Sequence, residues 1–564
     1  MVIYQIFTRL FNNTNITNKL NGTIKENGSG KLNNITKEAL NSIKSMGVTH
    51  IWFTGIIEHA HQTDYSKYGI KKDPPDIVKG NAGSPYAIKD YYDIDPDLAD
   101  DVSKRMSEFE ALVKRTHKAG LKIIIDFVPN HLARNYKSDA APAGIVDFGA
   151  NDNQNVSFDK NNNFYYMPET NFGSPIILEN EEEWHESPAK ATGNNCFIAN
   201  PSIYDWYETI KLNYGIDYVN NTPNNFDPEP DTWLKMRDII FYWAGKGVDG
   251  FRCDMAEMVP VEFWQWLTGE VRSKYPELCF IAEIYDTQLY SDYIFRGGFD
   301  FLYDKMIFYD IMRNILEGKN PASDVTKVWQ FTDKLHHFLL YFLENHDEQR
   351  IASDFFLGDG WKAIPGMVVA ATMFNNPVMF YFGQELGEKG MDSEGFSGLD
   401  GRTTIFDYWG LKLMNKWRSD GSYSGEMLDK SSRELRAFYS LLFNLLQENE
   451  ALYKGRFYDL MWANENNPNF DTSKLYTFLR YTNEQSLLIV VNFSDEDISY
   501  KLKLPSHALQ SAGLNKDFFF TGNDLLKFSK PVQFPGELAI DGGFGGKIKK
   551  HCASIFELKS YFVQ

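Results

Sequence analysis

The chain has 564 residues, more than one hydrophobic core supports, so two or three domains are expected, one of them large. Asp+Glu 76 against Lys+Arg 57 gives a net charge of −19, which argues against nucleic acid or an anionic membrane as partner and suits a neutral substrate. The four cysteines, Cys196, Cys253, Cys279 and Cys552, are widely spaced with no CxxC or Cys/His metal pattern, so reduced thiols are expected.

The first element is an apolar, β-rich run at 2–7, which predicts a buried strand. The N-terminus has no basic region leading into a long apolar one, and no later stretch nears the ~18 uncharged apolar residues of a membrane span, so a cytoplasmic location is expected. Thr36 as an N-cap opens a helical pattern that stops at Gly47, and the apolar run 48–55 follows directly. The same order returns at 101–120, where Val102, Met106, Phe109, Leu112 and Val113 share a helical face and Gly120 precedes the run LKIIIDFV. It returns once more at 232–247, followed by VDGFRCD. Further runs at 278–283, 299–303, 338–343 and 377–382 bring the apolar segments to eight. Segments apolar on both faces read as parallel strands covered by helices, and eight of them predict an α/β fold, a closed (β/α)8 TIM barrel. Such barrels carry their chemistry at the C-terminal strand ends, where Asp126, Asp254, Glu283 and Asp347 fall.

Two segments depart from the repeat. Residues 132–230 are rich in Asn, Asp and Gly and too long for an ordinary βα loop, so they are read as an inserted subdomain over the barrel mouth. From about residue 469 strands with short turns take over; Ile498, Tyr500, Leu502 and Leu504 alternate with Ser499, Lys501 and Lys503, the mark of a half-buried antiparallel strand. The expected division is a catalytic barrel over 1–131 and 231–430, an insertion over 132–230, and a helical connection with a C-terminal antiparallel β-sandwich over 431–564.

Acids at the ends of apolar runs are costly unless paired, and a strand-end acid can do no more than cap a helix. Arg252 changes that reading for Asp254, because the strand period of two puts both on one face and a guanidinium there lowers the carboxyl pKa, as a nucleophile requires. Glu283 follows Phe280, Ile281 and Ala282 with no basic sequence neighbour, a setting that raises a carboxyl toward a general acid. Two carboxyls pushed apart in this way are the arrangement of a retaining glycosidase. Asp347 adds a third acid beside His346, and the run 126–131 supplies Asp126, Asn130 and His131. Neutral imidazoles suit sugar hydroxyls, although a lone His is more often structural or a helix cap. A catalytic zinc is discounted, since no pair has ligand spacing and acids outnumber imidazoles.

DFVPNH at 126–131, GFRCD at 250–254, FIAE at 280–283 and FLENHD at 342–347 resemble, in order, the four motifs of the α-amylase family of glycoside hydrolases, the retaining family 13 type. The resemblance spans nearly the whole chain, the insertion and β domain being similar to that family's domains B and C. It implies Asp254 as nucleophile, Glu283 as acid/base and Asp347 as stabiliser of the distorted sugar, with Arg252, His131 and His346 lining the subsite where the bond breaks and Asp126 structural. Tyr86 falls where the family has a stacking Tyr, within GSPYAIKDYYDIDPDLA rather than the commoner GYDxxDY form, and Arg402 is implied to reach a neighbouring subsite. Many members carry Lys-His at the third and fourth positions after the nucleophile, but Glu257 and Met258 stand here, so acceptor-side contacts do not transfer. Asn130 matches a family calcium ligand, which a Met258 carbonyl and acids from the insertion would have to complete; no organic cofactor is implied. The expected activity is hydrolysis of α-1,4 links in starch-derived maltooligosaccharides. The alternatives are 4-α-glucanotransfer or maltosyl transfer, a neopullulanase- or cyclomaltodextrinase-type range, and a non-catalytic glucan-binding protein, which should have lost one of the three acids.

Overall fold

A computed structural model describes residues 1–178, 183–390 and 399–561; the insertion, barrel and C-terminal segments as bounded above include the few residues outside that set. Eight strands form one parallel sheet: β1 (Val2–Phe7), β2 (His50–Thr54), β3 (Lys122–Phe127), β4 (Gly250–Cys253), β5 (Cys279–Ala282), β6 (Phe301–Tyr303), β7 (Leu339–Leu340) and β8 (Val378–Tyr381). They pair in sequence order, and a parallel bridge between Tyr341 and Val378 joins the two edges, so the expected (β/α)8 barrel is present.

The strand period of two explains the layers. Ile3, Trp52, Ile124, Ile281, Leu340 and Met379 pack together inside the barrel, while Ile123, Ile125, Phe251 and Phe280 join the core beneath the helices. Each such burial contributes about 1.5–3 kcal/mol, and a one-residue slip would exchange the two faces, so the register is strongly specified. Helices Lys37–Lys44, Arg105–Lys118, Asp231–Gly245 and Val261–Lys274 cover the strands, the first capped by the Thr36 hydroxyl accepting from the Ala39 N–H. Gly120 and Gly247, at φ 74° and 91°, take the left-handed conformation that ends a helix before β3 and β4.

Three excursions leave the barrel. The segment after β2 folds into an antiparallel hairpin, Ile57–His59 with Ile88–Ile94. After β3, His131–Ala133 pairs antiparallel with Thr209–Lys211, and Tyr166–Met167 with Ala189–Lys190. Past the barrel, Arg456–Asp459, Leu475–Tyr481, Ser486–Asn492, Cys552–Tyr561, Phe519–Asp524 and Val532–Pro535 form a six-stranded antiparallel sheet, with Ile498–Leu502 and Phe544–Ile548 as a separate pair. No helix among the described residues is long and apolar enough to cross a membrane.

Candidate active site

The inner face of the barrel turns polar one step above its apolar layer. Strand periodicity carries Ile3 to Gln5, Trp52 to Thr54, Ile124 to Asp126 and Ile281 to Glu283. Arg252 pairs in register with Asp126 on one side and Ile281 on the other, which brings its guanidinium to the centre of this layer. The ladder continues one residue past β4 and β5: the Asp254 N–H donates to the Phe127 carbonyl at 2.9 Å and the Glu283 N–H to the Cys253 carbonyl at 3.0 Å. Asp254 and Glu283 are therefore lateral neighbours at adjacent strand ends.

Arg252 holds both. Its Nη1 lies 2.7 Å from Asp254 Oδ1 and its Nη2 2.8 Å from Glu283 Oε2, with Asp126 Oδ1 at 3.4 Å from Nη1. The rings of Trp52, Tyr86 and Tyr303 surround the guanidinium at 5.3–5.5 Å. Asp254 Oδ2 accepts no hydrogen bond and has His131 Nε2 at 4.0 Å. Glu283 is more fully held: Oε1 accepts from the Tyr285 hydroxyl at 2.9 Å and Oε2 from the Met255 N–H at 2.9 Å. Met255 supplies that N–H from a left-handed backbone, φ 43°, a costly conformation in the turn directly after Asp254. Glu257 accepts from the N–H groups of Tyr285 and Asp286 and so fixes the loop that carries the Tyr285 ring.

Asp126, Asp254 and Glu283 lie within 3.4 Å of one guanidinium, and burial opposes ionisation of Asp126, Asp254 and Asp347. Burial pushes Asp126 up to about 6, against Arg252 and the Trp52 indole N–H, which donates to it at 3.0 Å. Burial, and next the Glu283 charge, push Asp347 up to about 7, although a third of its side chain faces the pocket. Asp254 is pushed up as well, burial outweighing the pull of Arg252. This overturns the expectation that Arg252 leaves the Asp254 pKa lowered, and Glu283 has a basic neighbour in space, because the β4–β5 register delivers Arg252 to it. Both imidazoles stay neutral: burial, then Lys211 and Lys79, lower His131 to about 3, and burial, then Arg252, take His346 well below its ordinary value.

A pocket of about 430 Å³ opens over these groups, with Tyr86, His131, Asp254, Glu283 and Asp347 in its wall. The 132–230 segment adds Trp206 and Glu208, and Tyr285 and Phe406 complete an aromatic rim; none of the four was singled out from sequence. Tyr86 Oη lies 2.5 Å from His346 Nε2, and a Gln5 amide nitrogen 2.8 Å from His346 Nδ1. His346 and Arg252, each 1% exposed, thus back the wall instead of forming it. Arg402 does not line the pocket; it donates to the Asp347 carbonyl at 2.6 Å and pairs with Asp400 at 3.2 Å. A larger cleft of about 710 Å³ lies against the C-terminal sheet, where Asp459 is already engaged by Trp329 and Thr326, so size does not mark the site.

The oxygens expected to hold calcium are engaged too. Asn130 Oδ1 accepts from Lys211 Nζ, and the Met258 carbonyl accepts from the same nitrogen at 3.0 Å. No carboxylate among the described residues pairs with Lys211, so the donor set, a neutral amide and a carbonyl around an amine, does not fit a calcium ion.

The profile of the family "Alpha amylase, catalytic domain" matches residues 5–434, and the chain belongs to this family: it is an alpha-amylase-family glycoside hydrolase. Alpha-amylase 2 of Dictyoglomus thermophilum is 24% identical over 506 residues, 89% of this chain and 70% of that protein. An alpha-1,4-glucan:maltose-1-phosphate maltosyltransferase of Cereibacter sphaeroides is 30% identical over 95 residues, 15% of each chain. Among solved structures, the noncanonic maltogenic alpha-amylase AmyB from Thermotoga neapolitana matches with a TM-score of 0.63 at 20% identity, covering 100% of this chain and 99% of its own, a likeness of fold.

Proposed function

We propose that the protein is a retaining glycosidase acting on α-1,4 links of maltooligosaccharides through a glycosyl-Asp254 intermediate. The observation that carries this reading is the division of one guanidinium between Asp254 and Glu283, which keeps two carboxyls from adjacent strands within reach of the ~5 Å spacing of a retaining pair. Arg252 takes only Oδ1 of Asp254, so Oδ2 is left without a hydrogen bond, as an attacking oxygen needs. Positive charge developing on the sugar favours the ionised form of Asp254, offsetting its burial. Glu283 gives a proton to the departing glycosidic oxygen, and as a carboxylate it then takes one from the acceptor that opens the intermediate. Asp347, partly facing the pocket, accepts hydroxyls of the distorted sugar. The α-1,4 link and the sugar class rest on the names of the maltosyltransferase and the maltogenic amylase among the relatives.

Glu283→Gln keeps the size and the acceptor oxygen while removing the transferable proton. Turnover of soluble starch and maltoheptaose is expected to fall by roughly 10²–10⁴ with sugar binding retained; wild-type turnover in this variant would sink the assignment. Water as acceptor gives hydrolysis, and a second sugar gives transfer. The aromatic rim of Trp206, Tyr285 and Phe406 offers stacking faces to an acceptor sugar, which favours transfer as the second reading. The product ladder from maltotetraose separates them: products longer than the substrate mean transfer.

A further inference from the structure

We propose that the Lys211 amine takes the place of a metal at this site and that Lys211 is a positioning residue: its Nζ bridges Asn130 and Met258 where calcium was expected, and through Asn130 it sets the His131 ring that faces Asp254.

The sequence places Lys211 on the strand Thr209–Lys211, directly opposite His131 in the antiparallel pair. The side chain is 1% exposed, and its nitrogen reaches Asn130 Oδ1, after β3, and the Met258 carbonyl, after β4. Three segments distant in sequence are thereby tied at one atom. The Met258 loop is itself anchored, since the Tyr293 hydroxyl donates to the Val259 carbonyl at 2.7 Å. A divalent ion would need six to eight oxygens, carboxylates among them, and would stand against an amine.

The tie also fixes chemistry at the pocket wall. An Asn amide can present either end, but a lysine nitrogen only donates here, so the Asn130 oxygen must face it. The amide nitrogen then points the other way, donating to the Gly193 carbonyl at 2.8 Å and to His131 Nδ1 at 3.0 Å. Gly193 agrees independently, because its carbonyl can only accept. With Nδ1 accepting, the His131 proton resides on Nε2, the atom 4.0 Å from Asp254 Oδ2. The ring has little freedom to turn: it packs on Trp206 at 5.1 Å, and a Cβ at Gly193 would stand 2.8 Å from His131 Cβ. Lys211 thus makes His131 a donor toward the nucleophile and the sugar bound beside it.

The test uses the full chain and compares wild type with Lys211→Ala, Lys211→Met and Lys211→Arg by thermal unfolding, by kcat and KM on maltoheptaose, and by the ¹⁵N shifts of labelled histidine, with the His131 signals assigned from their loss in His131→Asn. Lys211→Ala is expected to lower the melting temperature and to cut kcat by tenfold to a hundredfold, of the order a small misplacement costs. Propylammonium, which replaces the atoms removed, should restore both, and calcium should restore neither. Lys211→Met, apolar and of similar length, should lose the Nε2–H signature of His131 that wild type shows, and Lys211→Arg should keep it. Wild-type kcat and ¹⁵N shifts in Lys211→Met, or rescue of Lys211→Ala by calcium and not by propylammonium, would overturn the inference. Only the kinetic arm rests on the glycosidase reading: wild-type protein inert on maltoheptaose would defeat that reading and leave the unfolding and ¹⁵N arms to decide this one.

Discussion

The barrel mouth and the hairpin after β2 both gather buried acids, and they hold them differently. At the hairpin, Glu58, Asp90 and Asp93, with the exposed Asp139 of the 132–230 segment, bring carboxylate oxygens within 4.8 Å of one another. Asp90 accepts from Ser138 and from the N–H groups of Tyr92, Asp139 and Ala140, so it is spent on fastening loop backbone, and Asp93 is spent on an ion pair with Arg105. At the mouth the acids end strands instead, Asp254 and Glu283 share the guanidinium of Arg252, and an oxygen of Asp254 is left unengaged beside a pocket. A count of acids therefore finds both places, and an unengaged oxygen occurs in both, at Glu58 and at Asp254, but only Asp254 lines the pocket over the barrel mouth.

The largest expected effect comes from removing the cation that distinguishes the mouth. Arg252→Met takes their shared cation from Asp254, Glu283 and Asp126, which should cost about 3–5 kcal/mol of stability and reduce turnover by roughly 10³ or more. A variant with the wild-type melting temperature would mean that the mouth acids are neutralised without Arg252, as the hairpin acids largely are by backbone, and the contrast would fail.

Asp347→Asn sharpens the comparison through pH. Its carboxyl is pushed up to about 7, so the folded chain keeps a proton there that the unfolded chain has released above the usual carboxylate range. The stability this provides is complete at acid pH and is lost as pH rises toward 7. Against wild type, the Asn variant should gain melting temperature across that window while turnover drops roughly a hundredfold. A pH-independent difference would show an ionised Asp347. Tyr285→Phe acts more gently, removing one donor to Glu283 Oε1; a loss of up to about tenfold in kcat, worth ~1.4 kcal/mol, is expected from steady-state kinetics.

How much of this was legible in the sequence depends on the range of the interaction. Ile123 to Asp126 declares a strand apolar on both faces that ends in an acid, and Arg252 lies on the face of Asp254 because the period is two. The pull of Arg252 on Glu283 was not legible, since it arises from the pairing of Arg252 with Ile281 across two strands. Lys211 illustrates the limit best: nothing near it in sequence says that it will lie opposite His131, and a polar insertion gives no period from which to read that pairing. Tyr285 follows Glu283 by two residues on the same strand extension, a spacing from which it could have been found.

The smallest effect belongs to the hairpin. Glu58 is 2% exposed, its Oε2 has no hydrogen-bond partner, and burial, then Asp93, raise its carboxyl well above the ordinary range, with Asp90 and Asp139 adding to the push and Lys89 opposing it. Burial thereby favours the protonated form, which glutamine resembles. Because the folded pKa is the higher one, wild-type stability from this group is fully present below the unfolded Glu value and declines as pH rises through the folded value. Glu58→Gln should leave kcat unchanged, match wild-type melting temperature at acid pH within about 0.5 kcal/mol, and exceed it increasingly toward alkaline pH. A variant less stable than wild type at every pH would show instead that Glu58 is ionised and paired. The hairpin acids would then be held as those at the mouth are, by charge, and the difference between the two regions would lie in the pocket alone.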